Sequence, residues 1–291
     1  MEQPGKNEIE SRLALMAGRK YCYIVNRGAS ALYMVYKVMR NLVNTNKSSG
    51  GGNKIVLPAT MCHSPANVAL YAGLEIIFCD VNEDDYTIDA NCLQVILENT
   101  TGILGVLSVG IFGHSPDMSR ISKLCSHYNV WLIDDACQSI GGYHGNIPLG
   151  GWGEVGIYSF GYSKIVDIGW GGAILTNNEF IYDSCKQLYS ELAPPHENIL
   201  NLRAMYSKTY YTIEKLEFEF SELSRLFLPF PEIFKQLYIY NEPPPVNKLS
   251  ELSEALDGLD KNISGRYRNW DIYNTTLIRN NNIKIPEIRK G

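Results

Sequence analysis

Residues 103–138 read ILGVLSVGIFGHSPDMSRISKLCSHYNVWLIDDACQ. The apolar run at 103–109 predicts a strand, the spacing at 118–128 a helix, and VWLI at 130–133 another strand. A strand, a helix and a second strand in succession form the unit that lays parallel strands side by side. Upstream the alternation repeats. KIVL at 54–57 and EIIFC at 75–79 read as strands, with helices expected over 65–71 and 89–98. Strands that are apolar almost throughout, each followed by a helix, belong to a mostly parallel sheet covered on both faces. The expected class is therefore α/β.

Outward from this unit the texture varies. Residues 30–43 carry Leu32, Val35, Met39 and Leu42 at helical spacing, with Gly28 and Ser30 just ahead as a turn and a helix start. The run SSGGG at 48–52 reads as a surface loop. After Cys185 the chain turns aromatic: residues 187–245 are rich in Tyr, Phe and Leu at helical spacing, and Pro243, Pro244 and Pro245 break the chain. A helix is expected over 249–273, with Leu252, Leu256, Leu259 and Ile263 on one side, and residues 282–286 look like the start of a strand. The expected organisation is a large α/β domain at 1–186, an aromatic helical insertion at 187–246, and a helix at 247–291 that opens a small domain.

Composition excludes several classes. The chain has 291 residues, of which 45% are hydrophobic, and a formal charge of −5. That balance suits a folded globule and disfavours a general polyanion binder, which needs clustered base. The seven cysteines form no C-x-x-C pair. Neither a disulfide framework nor a metal site is expected, and reduced, cytosolic cysteines are. The first residues, MEQPGKNE, contain no apolar signal core. No apolar run approaches the ~20 residues that cross a bilayer.

Three clusters could carry chemistry, each at a strand end or helix start, where open α/β sheets hold ligands. The first is Asn26-Arg27-Gly28-Ala29-Ser30. Free N–H groups at a helix start favour a phosphate, although a glycine turn with a serine N-cap reads equally simply. The second is Asp134-Asp135-Ala136-Cys137-Gln138, directly after VWLI. Two acids there could bind a metal, act as base or pair with a cationic ring, while a helix N-cap would explain one of them. The third is Ser159-Phe160-Gly161-Tyr162-Ser163-Lys164, followed by Gly169-Trp170-Gly171-Gly172. A lysine desolvated beside an apolar strand becomes nucleophilic, whereas a lysine in a surface loop does not. Together the clusters match one cofactor. Pyridoxal phosphate (PLP) needs a lysine, an acid at its ring nitrogen and a donor-lined phosphate cup.

These stretches resemble the DegT/DnrJ/StrS family of sugar aminotransferases, which are PLP enzymes of fold type I. The resemblance runs from about residue 9 to 178 and returns more weakly at 248–286. PATMCHSPANVALYAG at 58–73 resembles the family's proline-led loop and helix. DVNEDDYTID at 80–89 resembles its acidic turn, FGHSPDM at 112–118 its Tyr-Gly-x-x-x-Asp-Met, DDACQ at 134–138 its Glu-Asp-Ala-Ala-Gln, and SFGYSK at 159–164 its Ser-Phe-x-x-x-Lys. The resemblance implies that Lys164 is the Schiff-base lysine and Asp135 the acid on the ring nitrogen. It places Gln138 near the ring hydroxyl, and Gly28, Ala29, Ser30 and Ser159 at the phosphate.

The departures are specific. Ala29 replaces the usual threonine, and Arg27 stands where serine is common. Cys62 occupies the position of a stacking aromatic, with His63 adjacent. The partner-subunit loop is degraded to Val246-Asn247-Lys248, and the small C-terminal domain is largely missing. The implied activity is transfer of an amino group from glutamate to a nucleotide-linked keto-sugar in amino-sugar or surface polysaccharide synthesis. The implied partners are small molecules and a second copy of the chain, in the cytoplasm, without nucleic acid or membrane. Two alternatives accompany this reading. A sugar deoxygenating enzyme of the family would carry histidine in place of Lys164. A catalytically reduced relative with a supporting role would explain Ala29 and Cys62.

Overall fold

The strands expected at 54–57, 103–109 and 130–133 lie inside one sheet, and that at 75–79 forms its edge, in the computed structural model, which describes residues 4–45, 52–219, 225–226 and 228–277. In chain order the elements are α1 (Lys6–Met16), β1 (Tyr21–Val25), α2 (Gly28–Thr45), β2 (Lys54–Pro58), α3 (His63–Ala72), β3 (Glu75–Cys79), α4 (Ala90–Asn99), β4 (Ile103–Val109), α5 (Met118–His127) and β5 (Trp131–Asp135). There follow β6 (Tyr143–His144), β7 (Ile147–Pro148), β8 (Val155–Ser159), β9 (Gly172–Thr176), α6 (Glu179–Ser190), α7 (Ile199–Glu219), α8 (Phe230–Tyr238), α9 (Lys248–Asp257) and α10 (Leu259–Leu277).

The main sheet has the order β1-β9-β8-β5-β4-β2-β3. From β8 to β3 every neighbouring pair is parallel, and β9 alone runs against its two neighbours. Each face carries its own apolar core. Leu32, Val35 and Met39 of α2, Val68 of α3, Ile133 of β5 and Ile181 of α6 pack on one face. Leu13 of α1, Leu93 of α4, Ile121 of α5, Leu132 of β5 and Leu252 of α9 pack on the other. The α/β, mainly parallel architecture is as the sequence predicts.

Several boundaries move. The helix expected over 249–273 is two helices, separated at Gly258. Glycine inside a helix costs ~1 kcal/mol relative to alanine, and the chain bends there. The predicted apolar side survives the break, since Leu252, Leu256 and Leu259 are buried. The expected domain limit at 186/187 falls inside α6, and α2 begins at Gly28 rather than Ser30. The predicted strand at 282–286 and most of the loop at 48–52 lie outside the described residues. The aromatic segment forms α7 and α8, and Tyr206, Phe230, Phe234 and Leu237 join the core beneath α2 and α3.

Candidate active site

Antiparallel β9 brings two parallel strand ends together. Its Gly172 pairs with Val25 at the end of β1 and with Ser159 at the end of β8. Next in the sheet, Asp135 ends β5 opposite Ile157. The three sequence clusters therefore meet at one edge of the sheet. Gly172 permits this: a Cβ there would lie 2.4 Å from the Arg27 carbonyl carbon and 2.4 Å from the Gly28 nitrogen. Backbone cannot yield to such a contact cheaply. Gly172→Ala is expected to cost ~1–3 kcal/mol, read as a lower Tm, and a variant melting with wild type would refute this packing.

Gly28 opens α2 over Ser159. A Cβ on Gly28 would meet Ser159 Cβ at 3.0 Å, Ser159 Oγ at 3.2 Å and Cys137 Sγ at 3.5 Å. Cys137 then joins the remaining residues. Its N–H donates to Asp135 Oδ1 at 3.0 Å. Burial drives its thiol pKa well up, the Asp135 carboxylate adds to this, Lys164 pulls it back, and Cys62 adds a small push upward. Asp135 is thus in direct contact with Cys137, and the Lys164 charge reaches the same thiol. Tyr36 of α2, wholly buried and with an unbonded hydroxyl, faces the same carboxylate.

The adjacent acids have separate tasks, because successive side chains of a strand point to opposite faces. Asp134 turns away from the site and accepts N–H bonds from Gly150 at 2.5 Å and Trp152 at 3.3 Å. Burial raises its pKa to about 7, against those two bonds and the Arg19 charge, which lower it. Neither acid caps a helix, since a turn follows β5.

Lys164 is half-buried in a loop fixed at several points. Ser163 before it has φ 66°, a left-handed conformation rare for a residue with a side chain. Asp167 accepts from the Ser163 N–H at 2.9 Å and the Gly169 N–H at 3.1 Å. From the helices beyond, Asn262 Nδ2 donates to Ile165 O at 2.9 Å and Lys248 Nζ to Ile168 O at 2.7 Å. So Lys248, in the degraded loop motif, holds the lysine loop of its own chain.

The phosphate end departs from the sequence reading. The first helical bond of α2 runs from Ala31 N–H to Arg27 O at 3.1 Å, so the N–H groups of residues 28–30 precede it. Ser30, however, is fully buried and its Oγ donates to Tyr238 O at 3.0 Å. Its hydroxyl is committed to α8. Ala29 packs against the apolar core. Gln138 Oε1 accepts from the Phe112 N–H at 3.2 Å. Cys62 is exposed at the start of α3. The His63 ring stacks on Tyr210 at 4.7 Å and meets Phe234 edge-on, so α7 and α8 occupy it.

The residues present fit pyridoxal phosphate. A space that only glycine leaves open lies over the Ser159 hydroxyl, the buried Asp135 carboxylate lies beside it through Cys137, and Lys164 follows on the loop from Ser159. Gly28, Ser159 and the start of α2 would hold the phosphate, Asp135 the ring nitrogen and Lys164 the aldehyde carbon. What the cup lacks is side-chain hydroxyls from Ala29 and Ser30. Among the described residues no group of His, Cys, Asp or Glu could hold a metal ion. Tyr36 and Arg203 are additions to the predicted set. Tyr36 sits on an ordinary apolar helix face and Arg203 in α7 of the aromatic segment, so no local signal marked them.

Comparison with known proteins places the chain among relatives of one family. The DegT/DnrJ/EryC1/StrS aminotransferase family matches residues 2–194. A UDP-4-amino-4,6-dideoxy-N-acetyl-beta-L-altrosamine transaminase of Campylobacter jejuni is 33% identical over 186 residues, covering 63% of this chain and 46% of that protein. A GDP-perosamine synthase of Escherichia coli O157:H7 is 23% identical over 61% of this chain and 46% of its own length. The chain therefore spans about half the length of these relatives. A solved DegT DnrJ EryC1 StrS aminotransferase from Brucella abortus has the same fold, with a TM-score of 0.70 and 23% identity over 99% of this chain and 68% of its own.

Proposed function

The chain belongs to the DegT/DnrJ/EryC1/StrS aminotransferase family, and from that premise we propose that it is a PLP-dependent aminotransferase carrying an amino group from glutamate to a nucleotide-linked keto-sugar. One observation carries the reading. Cys137, whose N–H bonds Asp135 Oδ1 at 3.0 Å, would stand 3.5 Å from a Cβ on Gly28, so the Asp135 carboxylate lies beside the glycine-only space over Ser159, five residues before Lys164. The relatives' names, a UDP-sugar transaminase and a GDP-perosamine synthase, support the substrate class and a place in polysaccharide synthesis.

When bound, the cofactor supplies an aldehyde to receive the amine and a ring that draws electrons from the reacting carbon. The chain's own residues do the rest. Asp135, 5% exposed and oriented by the Cys137 N–H, holds a proton on the ring nitrogen. Lys164 Nζ would hold the aldehyde carbon and move protons at the reacting carbon. The bonds from Asp167, Lys248 and Asn262 fix the loop from which it does so. Ser159 and the start of α2 orient the phosphate.

We take residues 1–186 as the cofactor-binding part, 187–246 as an inserted aromatic cover and 247–291 as the opening of a smaller part. We also read the protein as a cytoplasmic homodimer. The free state of all seven cysteines supports a reducing compartment. Among the described residues no helix is long and apolar enough to cross a membrane.

Adding PLP to the purified chain should produce the visible band of a lysine-linked pyridoxal. Glutamate should then bleach it and release 2-oxoglutarate in equal amount. A chain that shows no band fails this reading. A band that glutamate leaves unchanged, with no 2-oxoglutarate, establishes instead the reduced relative that Ala29 and Cys62 favour.

A further inference from the structure

Two arginines converge where the cup is poor in hydroxyls. Arg27 lies directly before Gly28, and Arg203 comes from α7 in the aromatic segment. Their guanidinium carbons lie 5.3 and 5.4 Å from the centre of the same Tyr238 ring. Tyr238 is pinned to the first turn of α2 by the 3.0 Å bond from Ser30 Oγ to its carbonyl oxygen. We propose that Arg27 and Arg203 form a binding site for a phosphoryl dianion at the first turn of α2.

Arg203 is 9% exposed and rigidly held: Nε donates to Leu237 O at 2.8 Å and Nη2 to the Tyr240 hydroxyl. These bonds explain part of its presence, as a cation closing the end of α8. They do not explain Arg27, whose Nε is buried without a partner. Burial lowers the pKa of both arginines, and Arg27 lowers that of Arg203 further, to about 10. Glu242 is the carboxylate facing both, and its Oε2 accepts from Trp170 Nε1 at 3.0 Å. Two like charges that share one carboxylate leave a positive charge in excess, which an anion would neutralise. The guanidinium fork suits phosphoryl oxygens, and the helix start adds N–H donors of the same sense. Arg27 forms a bridge with Gly171, in the glycine turn that follows the Ser159–Lys164 loop, which puts the pair at the cofactor's end of the sheet.

The phosphoryl group has two possible sources, the cofactor's phosphate and a substrate diphosphate. Assignment to the cofactor rests on the aminotransferase reading, whereas the site itself does not. The test compares the full-length wild type with Arg27→Gln and Arg203→Lys, using PLP, pyridoxal, inorganic phosphate and UDP. Arg27→Gln should weaken PLP binding ~10- to 150-fold, leave pyridoxal binding unchanged and abolish the rise in Tm with phosphate. Arg203→Lys keeps the charge near the end of α8 but loses the fork, and should show the same selective loss, with a lower unliganded Tm from the bonds given up to Leu237 O and the Tyr240 hydroxyl. Wild-type affinities in Arg27→Gln, or equal losses of PLP and pyridoxal, would overturn the proposal. A UDP-induced rise in Tm that survives saturating PLP and disappears in Arg27→Gln assigns the site to a substrate diphosphate. Absence of a UDP effect assigns it to the cofactor. A wild type without the lysine-linked band, whose phosphate response is still lost in Arg27→Gln, retains the site and removes the aminotransferase reading.

Discussion

Lys164→Ala is expected to abolish the visible band formed with PLP and to reduce 2-oxoglutarate release by at least ~10²–10⁴-fold, the range lost with a positioned proton-transfer group. The covalent anchor goes with it, so turnover should fall to background. The fold should survive. The loop is fixed through Asp167, Asn262 and Lys248, which bond to backbone atoms of Ser163, Ile165, Ile168 and Gly169 and not to the lysine side chain. Truncating a half-buried side chain with no role in those bonds changes stability by ~0.5 kcal/mol. The variant should therefore melt with wild type and still bind PLP non-covalently through Ser159 and the start of α2. A Lys164→Ala protein that retains the band would move the anchor elsewhere and remove the basis of the reading. Arg203→Lys and Lys164→Ala then separate two functions, since the first weakens retention of the phosphate and the second removes the covalent link.

Some of this was legible in the sequence because it is local. The strands at 54–57, 75–79, 103–109 and 130–133 are apolar on both faces, and β2, β3, β4 and β5 lie close to those positions. Strands β1 and β9 were not legible. YCYIV mixes tyrosine into the run and GAILT opens on glycine, and each becomes a strand through its pairing with the other. The role of Lys164 could be read because its motif is contiguous. The fate of Ser30 could not, because its partner Tyr238 is 208 positions away. The same holds for Arg203, whose partners Leu237 and Tyr240 lie 34 and 37 positions away in a stretch that the sequence shows only as aromatic texture. One signal was available and unused: two adjacent residues at the end of a strand must face opposite sides, so Asp134 and Asp135 could not share a site.

That alternation makes the two acids an internal control. Asp135→Asn keeps an oxygen for the Cys137 N–H, so the fold and the lysine-linked band should persist. It cannot hold the ring proton, and 2-oxoglutarate release should fall ~10²–10⁴-fold. Asp134→Asn keeps acceptors for Gly150 and Trp152 and lies on the other face, so turnover should stay near wild type. Its effect belongs to stability against pH. The Asp134 carboxyl has a folded pKa of about 7 against an ordinary value of 3.8. Between those values the native state holds a proton that the unfolded chain has released. Stability from this group is therefore complete below 3.8, falls as pH rises towards 7, and stays low above it. The loss amounts to at most ~4 kcal/mol. Asparagine does not titrate, so the Tm of Asp134→Asn measured from ~pH 4 to ~pH 8 should lack that decline. Stopped turnover in Asp134→Asn with an unaltered Tm profile, alongside full turnover in Asp135→Asn, would exchange the two roles and place the chemistry on the opposite face of the sheet.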